Sequence, residues 1–176
     1  MELHELTALE QAAAVRDRTV SPVDLVRHHL DRIAALDGKL GAFVTVTAEA
    51  ALDQARAAER LVVSARGRGL PPLLGVPTAI KDLNQTAGVP TTFGSLVYDD
   101  FVPPMDDDVV RLLRAAGTIS LGKTATPEFG LPCYTEPAGR PPTVTPWDTG
   151  RLAGGSSGGA AAATAAGWQP ARPAAT

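Results

Sequence analysis

The sequence predicts an α/β fold, and three features of its pattern support this prediction. Residues 73–80 and 118–122 are short apolar runs typical of buried strands, and the segment VVRLLRAAG between them has helical spacing. Together they predict a β–α–β unit. Amphipathic helical segments precede this unit, and an alanine-rich segment that favours helix follows it. Such alternation is typical of a sheet covered by helices.

Composition limits the size and the class of the protein. The 176 residues are enough for one domain with a buried core and few for two. Net charge is −3 and no basic run is present, so we expect no direct contact with nucleic acid. No apolar stretch approaches the roughly 18 residues of a membrane span, and the N-terminus lacks the pattern of a signal peptide. We therefore expect a cytoplasmic protein without a membrane partner.

The N-terminal part predicts a layer of helices that packs onto the rest of the chain. Thr7 and Glu10 fit a capping box for a helix that extends to about Arg16. Ser21 followed by Pro22 fits the N-cap and the first position of a second helix. We expect this second helix to end near residues 37–38 and to bury a stripe made of Leu25, Leu30, Ile33 and Leu36.

A strand and a third helix complete this layer. Residues 42–46 resemble a strand, and Thr47 is expected to cap a helix over residues 48–62. That helix is expected to bury one side, made of Ala51, Leu52, Ala55, Ala58 and Leu61. Residues 64–72 form a connector rich in glycine, arginine and proline, which we interpret as an internal link and not as a domain boundary.

Several candidate metal or nucleophile residues are better explained structurally. His28 and His29 are neighbours on one helix and point about 100° apart, so they cannot easily chelate one metal. The run of aspartates at residues 106–108 fits a solvated helix start better than a metal site. Cys133 is the only cysteine and has no positive neighbour in sequence, so it is not expected to be a nucleophile. We expect no metal and no cofactor.

Lys81 ends the first strand of the predicted β–α–β unit. A lysine at a sheet rim often extends its ammonium group into solvent and has no further role. Here residues 84–95 follow as a polar loop punctuated by glycine and proline, which is typical of an active-site wall. The sequence from Lys123 to Arg140 is predicted to be mostly loop. The residues around Lys81 fit both interpretations, the structural and the functional.

The stretch RLAGGSSGGAAAATAAG at residues 151–167 is the strongest functional signal. Glycines on both sides of Ser156 and Ser157 allow close approach of other backbone or of a ligand, and alanines 160–166 predict a helix that starts there. Backbone N–H groups at a helix start suit an anion or a polarised carbonyl. A flexible linker is the alternative. A phosphate loop is disfavoured because the Gly-Lys-Ser/Thr ending is missing.

Three segments together resemble the amidase signature family: GVPTAIKDLNQTAGVPTTFGS at residues 75–95, LGKTATPEFG at 121–130 and TPWDTGRLAGGSSGGAAAATAAG at 145–167. The resemblance implies a mixed sheet flanked by helices and the hydrolysis of small carboxamides. It implies Lys81 as the base and Ser156, after a cis bond from Gly155, as a bridging serine. Ser157, Gly154 and Gly155 are implied as supporting or substrate-binding residues.

The sequence departs from this family at its end. The resemblance places the nucleophilic serine further along, in a second glycine-rich run resembling Gly-Thr-Asp-x-Gly-Gly-Ser, whereas residues 168–176 read WQPARPAAT. We therefore expect residues 1–167 to be the N-terminal part of an amidase domain, and residues 168–176 to be a divergent tail from a frameshift or a fragment end. The truncated chain is expected to be inactive and to self-associate through an uncovered sheet edge. The ammonia-releasing subunit of a tRNA-dependent amidotransferase and a non-catalytic ligand-binding fragment are the alternatives.

Overall fold

The computed structural model describes residues 2–65 and 68–170, and in these ranges it contains five α-helices and five strands. The N-terminal layer consists of α1 (Ala8–Arg16), α2 (Pro22–Leu40), β1 (Phe43–Val46) and α3 (Ala48–Ala65). The rest consists of β2 (Pro77–Lys81), α4 (Asp108–Ala115), β3 (Ile119–Thr124), β4 (Val144–Thr145), β5 (Asp148–Leu152) and α5 (Gly158–Ala165). None of the described helices is long and apolar enough to cross a membrane.

The predicted caps of α1 and α2 are present. The Glu10 amide donates a hydrogen bond to Thr7 Oγ1 at 3.2 Å, and the Thr7 amide donates one to the Glu10 carboxylate at 2.7 Å. Ser21 Oγ accepts the Val23 amide at 3.0 Å, directly before Pro22. These contacts satisfy amides that have no partner inside their own helix, so they fix where α1 and α2 begin.

A three-stranded mixed sheet lies at the centre of the fold, in the order β1-β3-β2. β2 and β3 are parallel, with α4 in the crossover between them, which confirms the predicted β–α–β unit. β1 pairs antiparallel with β3. The parallel pair brings the carboxyl ends of β2 and β3 to one edge of the sheet, and α5 packs against both strands there. The predicted mixed α/β architecture is therefore confirmed.

The hydrophobic core lies between the sheet and α2 and α3. α2 contributes Leu25, Val26, Leu30 and Ile33 to it, and the sheet contributes Ile119 and Leu121. Two predicted core residues, Leu36 and Leu61, are instead exposed, because the buried faces continue through other positions. On α3 that position is Val62, which continues the spacing of Ala51, Ala55 and Ala58.

Three predicted details are wrong, and the residue predicted to cap α3 makes a different contact. α2 runs through Gly38 to Leu40 and ends where Gly41 adopts a left-handed conformation, so the predicted stop is early. β2 begins at Pro77 and not at residue 73, since proline fits the first position of a strand. Lys123 lies inside β3 and not in a loop, because β3 continues to Thr124 in its pairing with β2. Thr47, the expected cap of α3, donates its hydroxyl to the Ser120 carbonyl across the sheet.

Residues after Gly167 also contact the fold. Trp168 is fully buried in the core, and Gln169 accepts the backbone N–H of Ala79 on β2 at 3.0 Å. This contact covers part of the β2 edge, while self-association through an uncovered edge stays a prediction. Residues 171–176 lie outside the described residues, so the proposed boundary at residue 167 also stays a prediction.

Candidate active site

The last residue of β2 and the start of α5 bring a lysine and two serines together. Lys81 Nζ donates to Ser156 Oγ at 2.8 Å and to Ser157 Oγ at 2.9 Å. These residues are 75 and 76 positions apart in the chain. The structure therefore brings Lys81 and Ser156 together at the carboxyl ends of the strands, at the edge where open α/β sheets hold their ligands.

Backbone contacts fix the loop that presents the serines. The peptide bond from Gly155 to Ser156 is cis, as the family resemblance implies. The Gly155 amide donates to the Cys133 carbonyl at 2.7 Å, and Thr126 Oγ1 donates to the Ser156 carbonyl at 3.1 Å. Thr135 Oγ1 donates to the Gly154 carbonyl at 3.0 Å. A loop tied at three successive residues is not a flexible linker.

The two glycines of this loop differ in how closely they are packed. A Cβ added at Gly155 would lie 2.6 Å from the Tyr134 amide nitrogen and 2.8 Å from the Cys133 carbonyl carbon. Gly154 has open space at the same position. A side chain at position 155 would therefore collide with neighbouring backbone, so this position needs glycine. A side chain at position 154 would meet no atom.

The surroundings of Lys81 within the described part of the chain contain hydroxyls and no ion-pair partner. Among the described residues no carboxylate lies within ion-pair distance of its ammonium group, which contacts only the two hydroxyls. Burial lowers the pKa of Lys81 below its ordinary value, because desolvation disfavours the charged form. A larger fraction of Lys81 is thus neutral near pH 7 than for a lysine in water, and a neutral amine can accept a proton.

A second charged group lies next to the site, and the sequence predictions did not include it. Lys123 and Asp82 are both completely buried, and Lys123 Nζ lies 3.1 Å from Asp82 Oδ1. Burial lowers the pKa of Lys123, with the Asp82 carboxylate opposing that effect. Asp82 directly follows Lys81, so this pair adjoins Lys81 along the backbone. The only sequence signal was a pair of charged residues in otherwise apolar strand-like segments.

Candidate metal ligands lie elsewhere in the fold. Glu2, His4 and His28 bring three ligand atoms within 4.8 Å of one another, a grouping that the sequence predictions did not include. The aspartates at residues 106 and 107 instead accept backbone amides from the loop after β2, those of Ala87 and Gln85, both at 2.7 Å. They hold that loop against the start of α4, so the expected solvated cap is only part of their role.

Comparison with known proteins identifies the family. Residues 24–172 match the Amidase family. The chain belongs to the amidase signature family. A glutamyl-tRNA(Gln) amidotransferase subunit of Acidothermus cellulolyticus is 47% identical over 165 residues, which cover 94% of this chain and 32% of the relative. The chain spans about a third of the length of the curated relatives it matches.

Solved structures of amidase signature enzymes share the fold. A bacterial aryl acylamidase has a TM-score of 0.88 at 31% identity, over 95% of this chain and 34% of that one. The peptide amidase of Stenotrophomonas maltophilia has a TM-score of 0.84 at 31% identity, over 94% of this chain and 35% of that one. The described amidase fold thus corresponds to about a third of each enzyme.

Proposed function

We propose that Lys81, Ser156 and Ser157 form the proton-transfer part of a site that hydrolyses small carboxamides. The observation that carries this proposal is the pair of short contacts, 2.8 and 2.9 Å, from Lys81 to the two hydroxyls. A lysine without a carboxylate partner, at a strand end and in contact with serines, is arranged as a base. Lysine in such surroundings is suited to general-base chemistry.

In the proposed reaction a proton passes through Ser156. A serine nucleophile attacks the amide carbon and gives its proton to Ser156 Oγ, while Ser156 gives its own proton to the neutral amine of Lys81. In the collapse of the tetrahedral intermediate the C–N bond breaks and the protons move back, from the Lys81 ammonium through Ser156 to the departing amine, which leaves the acyl group as an ester on the nucleophile. Water then attacks this ester, gives its proton to Lys81 through the same relay, and the returning proton restores the serine as the carboxylic acid leaves. Ser157 holds Lys81 in place as a second acceptor.

The nucleophile is the component that these residues do not supply. The family resemblance places it in a second glycine-rich run beyond the glycine–serine stretch, and Ser156 is already engaged as the relay. We therefore propose that a polypeptide of these 176 residues alone has no measurable amidase activity, since loss of a nucleophile costs on the order of 10⁶ in turnover. Lysine-dependent turnover by the 176-residue polypeptide would contradict this proposal.

A chimera tests the roles of the residues directly. Residues 1–170 replace the structurally matching third of the bacterial aryl acylamidase, and hydrolysis of an aryl acetamide is measured. Lys81→Ala should lower kcat by about 10³-fold or more, because the relay loses its base. Lys39→Ala, on the exposed end of α2, is the matched control and should change kcat little. A Lys81→Ala chimera that keeps kcat within about tenfold of its parent would refute the assignment.

The ammonia-releasing subunit of a tRNA-dependent amidotransferase is the second candidate function. The 47% identity to an amidotransferase subunit, over 94% of this chain, favours it. The same lysine and serines would then release ammonia from an amide donor for transfer. Co-purification of the protein with other amidotransferase subunits would support this candidate, and amide hydrolysis by a protein without partners would favour the hydrolase. Ligand binding without turnover, in any context, would favour a non-catalytic role.

A further inference from the structure

The buried ion pair between Lys123 and Asp82 differs from every other ion pair in the described residues. Both of its side chains have zero exposure. In each of the others at least one partner is 47% exposed or more. Removing two charges from water is costly unless hydrogen bonds satisfy both groups, so a pair of this kind needs a structural or functional reason.

Hydrogen bonds from the pair reach the loop that follows β2. Asp82 Oδ2 accepts the Thr92 hydroxyl at 2.6 Å and the Thr92 amide at 3.0 Å. Lys123 Nζ donates to the Thr91 hydroxyl at 2.6 Å and to the Asn84 carbonyl at 2.9 Å. The pair therefore holds both the start and the end of the loop. Asp107 is the other carboxylate that acts on Lys123, from the start of α4.

The pair is connected to Lys81 through the backbone. Lys81 and Asp82 are consecutive, and their side chains make separate sets of contacts, Lys81 with the serines and Asp82 with Lys123 and Thr92. The Asp82 amide donates to the Thr124 carbonyl at 3.0 Å, which continues the parallel pairing one residue beyond Lys81. Any movement of Asp82 would therefore move the backbone that carries Lys81.

We propose that Lys123 and Asp82 are positioning residues for Lys81: they anchor the backbone on both sides of it and engage the Asp82 carboxylate so that Lys81 meets only hydroxyls. The inference rests on the proposed role of Lys81 as a base. A carboxylate free to turn toward Lys81 would hold its ammonium form and remove the neutral amine that the relay needs. The opposite charge on Lys123 prevents this.

An NMR titration of the 176-residue protein tests the proposal without any activity assay. The chain has three lysines, Lys39, Lys81 and Lys123, so ¹³C-labelled lysine side chains give a small and assignable set of signals. Lys123→Met removes the cation and leaves the Asp82 carboxylate without its partner. The titration midpoint of Lys81 should then rise by roughly one pH unit, while that of exposed Lys39 stays constant and serves as the internal control.

A second variant distinguishes positioning from general stabilisation. Asp82→Asn removes the anion but keeps an acceptor for Thr92, and the Lys81 midpoint should then move downward. Loosening of the fold would only raise the titration midpoint of Lys81, toward that of an exposed lysine. A lower midpoint therefore cannot come from partial unfolding. Should Lys123→Met fail to fold, Asp82→Asn decides the question alone.

The positioning role of the buried pair and the base role of Lys81 are refuted by different results. A Lys81 midpoint that does not move downward in folded Asp82→Asn, or that does not rise in folded Lys123→Met, overturns the positioning role. Neither result affects the chimera assay of Lys81→Ala. Conversely, an active Lys81→Ala chimera would refute the base assignment while leaving the titration shifts unchanged.

Discussion

Two lysines at neighbouring strand ends have opposite surroundings. Lys81 on β2 is half-buried and contacts two serine hydroxyls, whereas Lys123 on β3 is fully buried and contacts a carboxylate. Burial lowers the pKa of both, but only Lys123 has a nearby anion that opposes the effect. The less buried lysine is therefore the one without a charged partner. This difference in surroundings fits the proposed roles, proton exchange for Lys81 and positioning for Lys123.

The largest effect should come from breaking the buried pair. Asp82→Ala leaves the Lys123 ammonium buried without its carboxylate and removes the acceptor of Thr92, which should lower the free energy of unfolding by about 3–5 kcal/mol. Urea denaturation measures this change. The matched control is Asp24→Ala, since the Arg27 and Asp24 side chains of that pair are 55% and 66% exposed. The control should cost about 0.5 kcal/mol or less. Equal losses of unfolding free energy in the two variants would show that burial does not make the Lys123–Asp82 pair more important for stability than an exposed pair.

Acid should reveal His29 as a second buried base without an anion beside it. Burial lowers the pKa of His29 from 6.5 to about 4. Below pH 6.5 the unfolded chain binds a proton that the folded protein does not, so stability falls as the pH drops from about 6.5 toward 4. The loss from His29 alone should reach about 3 kcal/mol. Urea denaturation across this range measures it, and His29→Gln should flatten the slope. An unchanged slope in His29→Gln would contradict the assignment.

Gly154 and Gly155, the two glycines before Ser156, test how tightly the loop that presents the serines to Lys81 is packed. Gly155→Ala places a Cβ against the backbone of residues 133 and 134 and should cost about 1–3 kcal/mol. Gly154→Ala meets no atom and has no left-handed φ, so it should be close to neutral. Thermal denaturation of the two variants checks the order. A more damaging Gly154→Ala would show that the loop is held differently.

Local patterns predicted most of the fold and part of the site. The capping box at Thr7, the Ser21-Pro22 start and the β–α–β unit depend on residues close in sequence, and each is present. The buried pair could not be predicted in this way, because Lys123 and Asp82 are far apart in the chain and meet only through strand pairing. The same holds for Leu36, whose exposure depends on which elements cover α2. Motif resemblance, and not spacing, paired Lys81 with Ser156.

The smallest effect should come from the hydroxyls themselves. The charged form of Lys81 donates to both serines, so we expect each contact to favour the ammonium form against the effect of burial. Ser156→Ala or Ser157→Ala should therefore lower the Lys81 midpoint by less than about one pH unit, the range of a single hydrogen bond. The ¹³C-lysine titration measures this, with Ser64→Ala on the exposed side of α3 as the control.

The direction of that shift separates the two kinds of neighbour. Loss of a serine hydroxyl should lower the titration midpoint of Lys81, and loss of the Lys123 cation should raise it. One titration therefore distinguishes the serine contacts from the buried ion pair. The two oxygens lie at nearly equal distances from Nζ, 2.8 and 2.9 Å, so the two serine variants should shift Lys81 almost equally. Activity in the chimera should not follow this symmetry if, as proposed, only Ser156 passes the proton. Equal losses of activity in both variants would mean that Ser157 shares the relay.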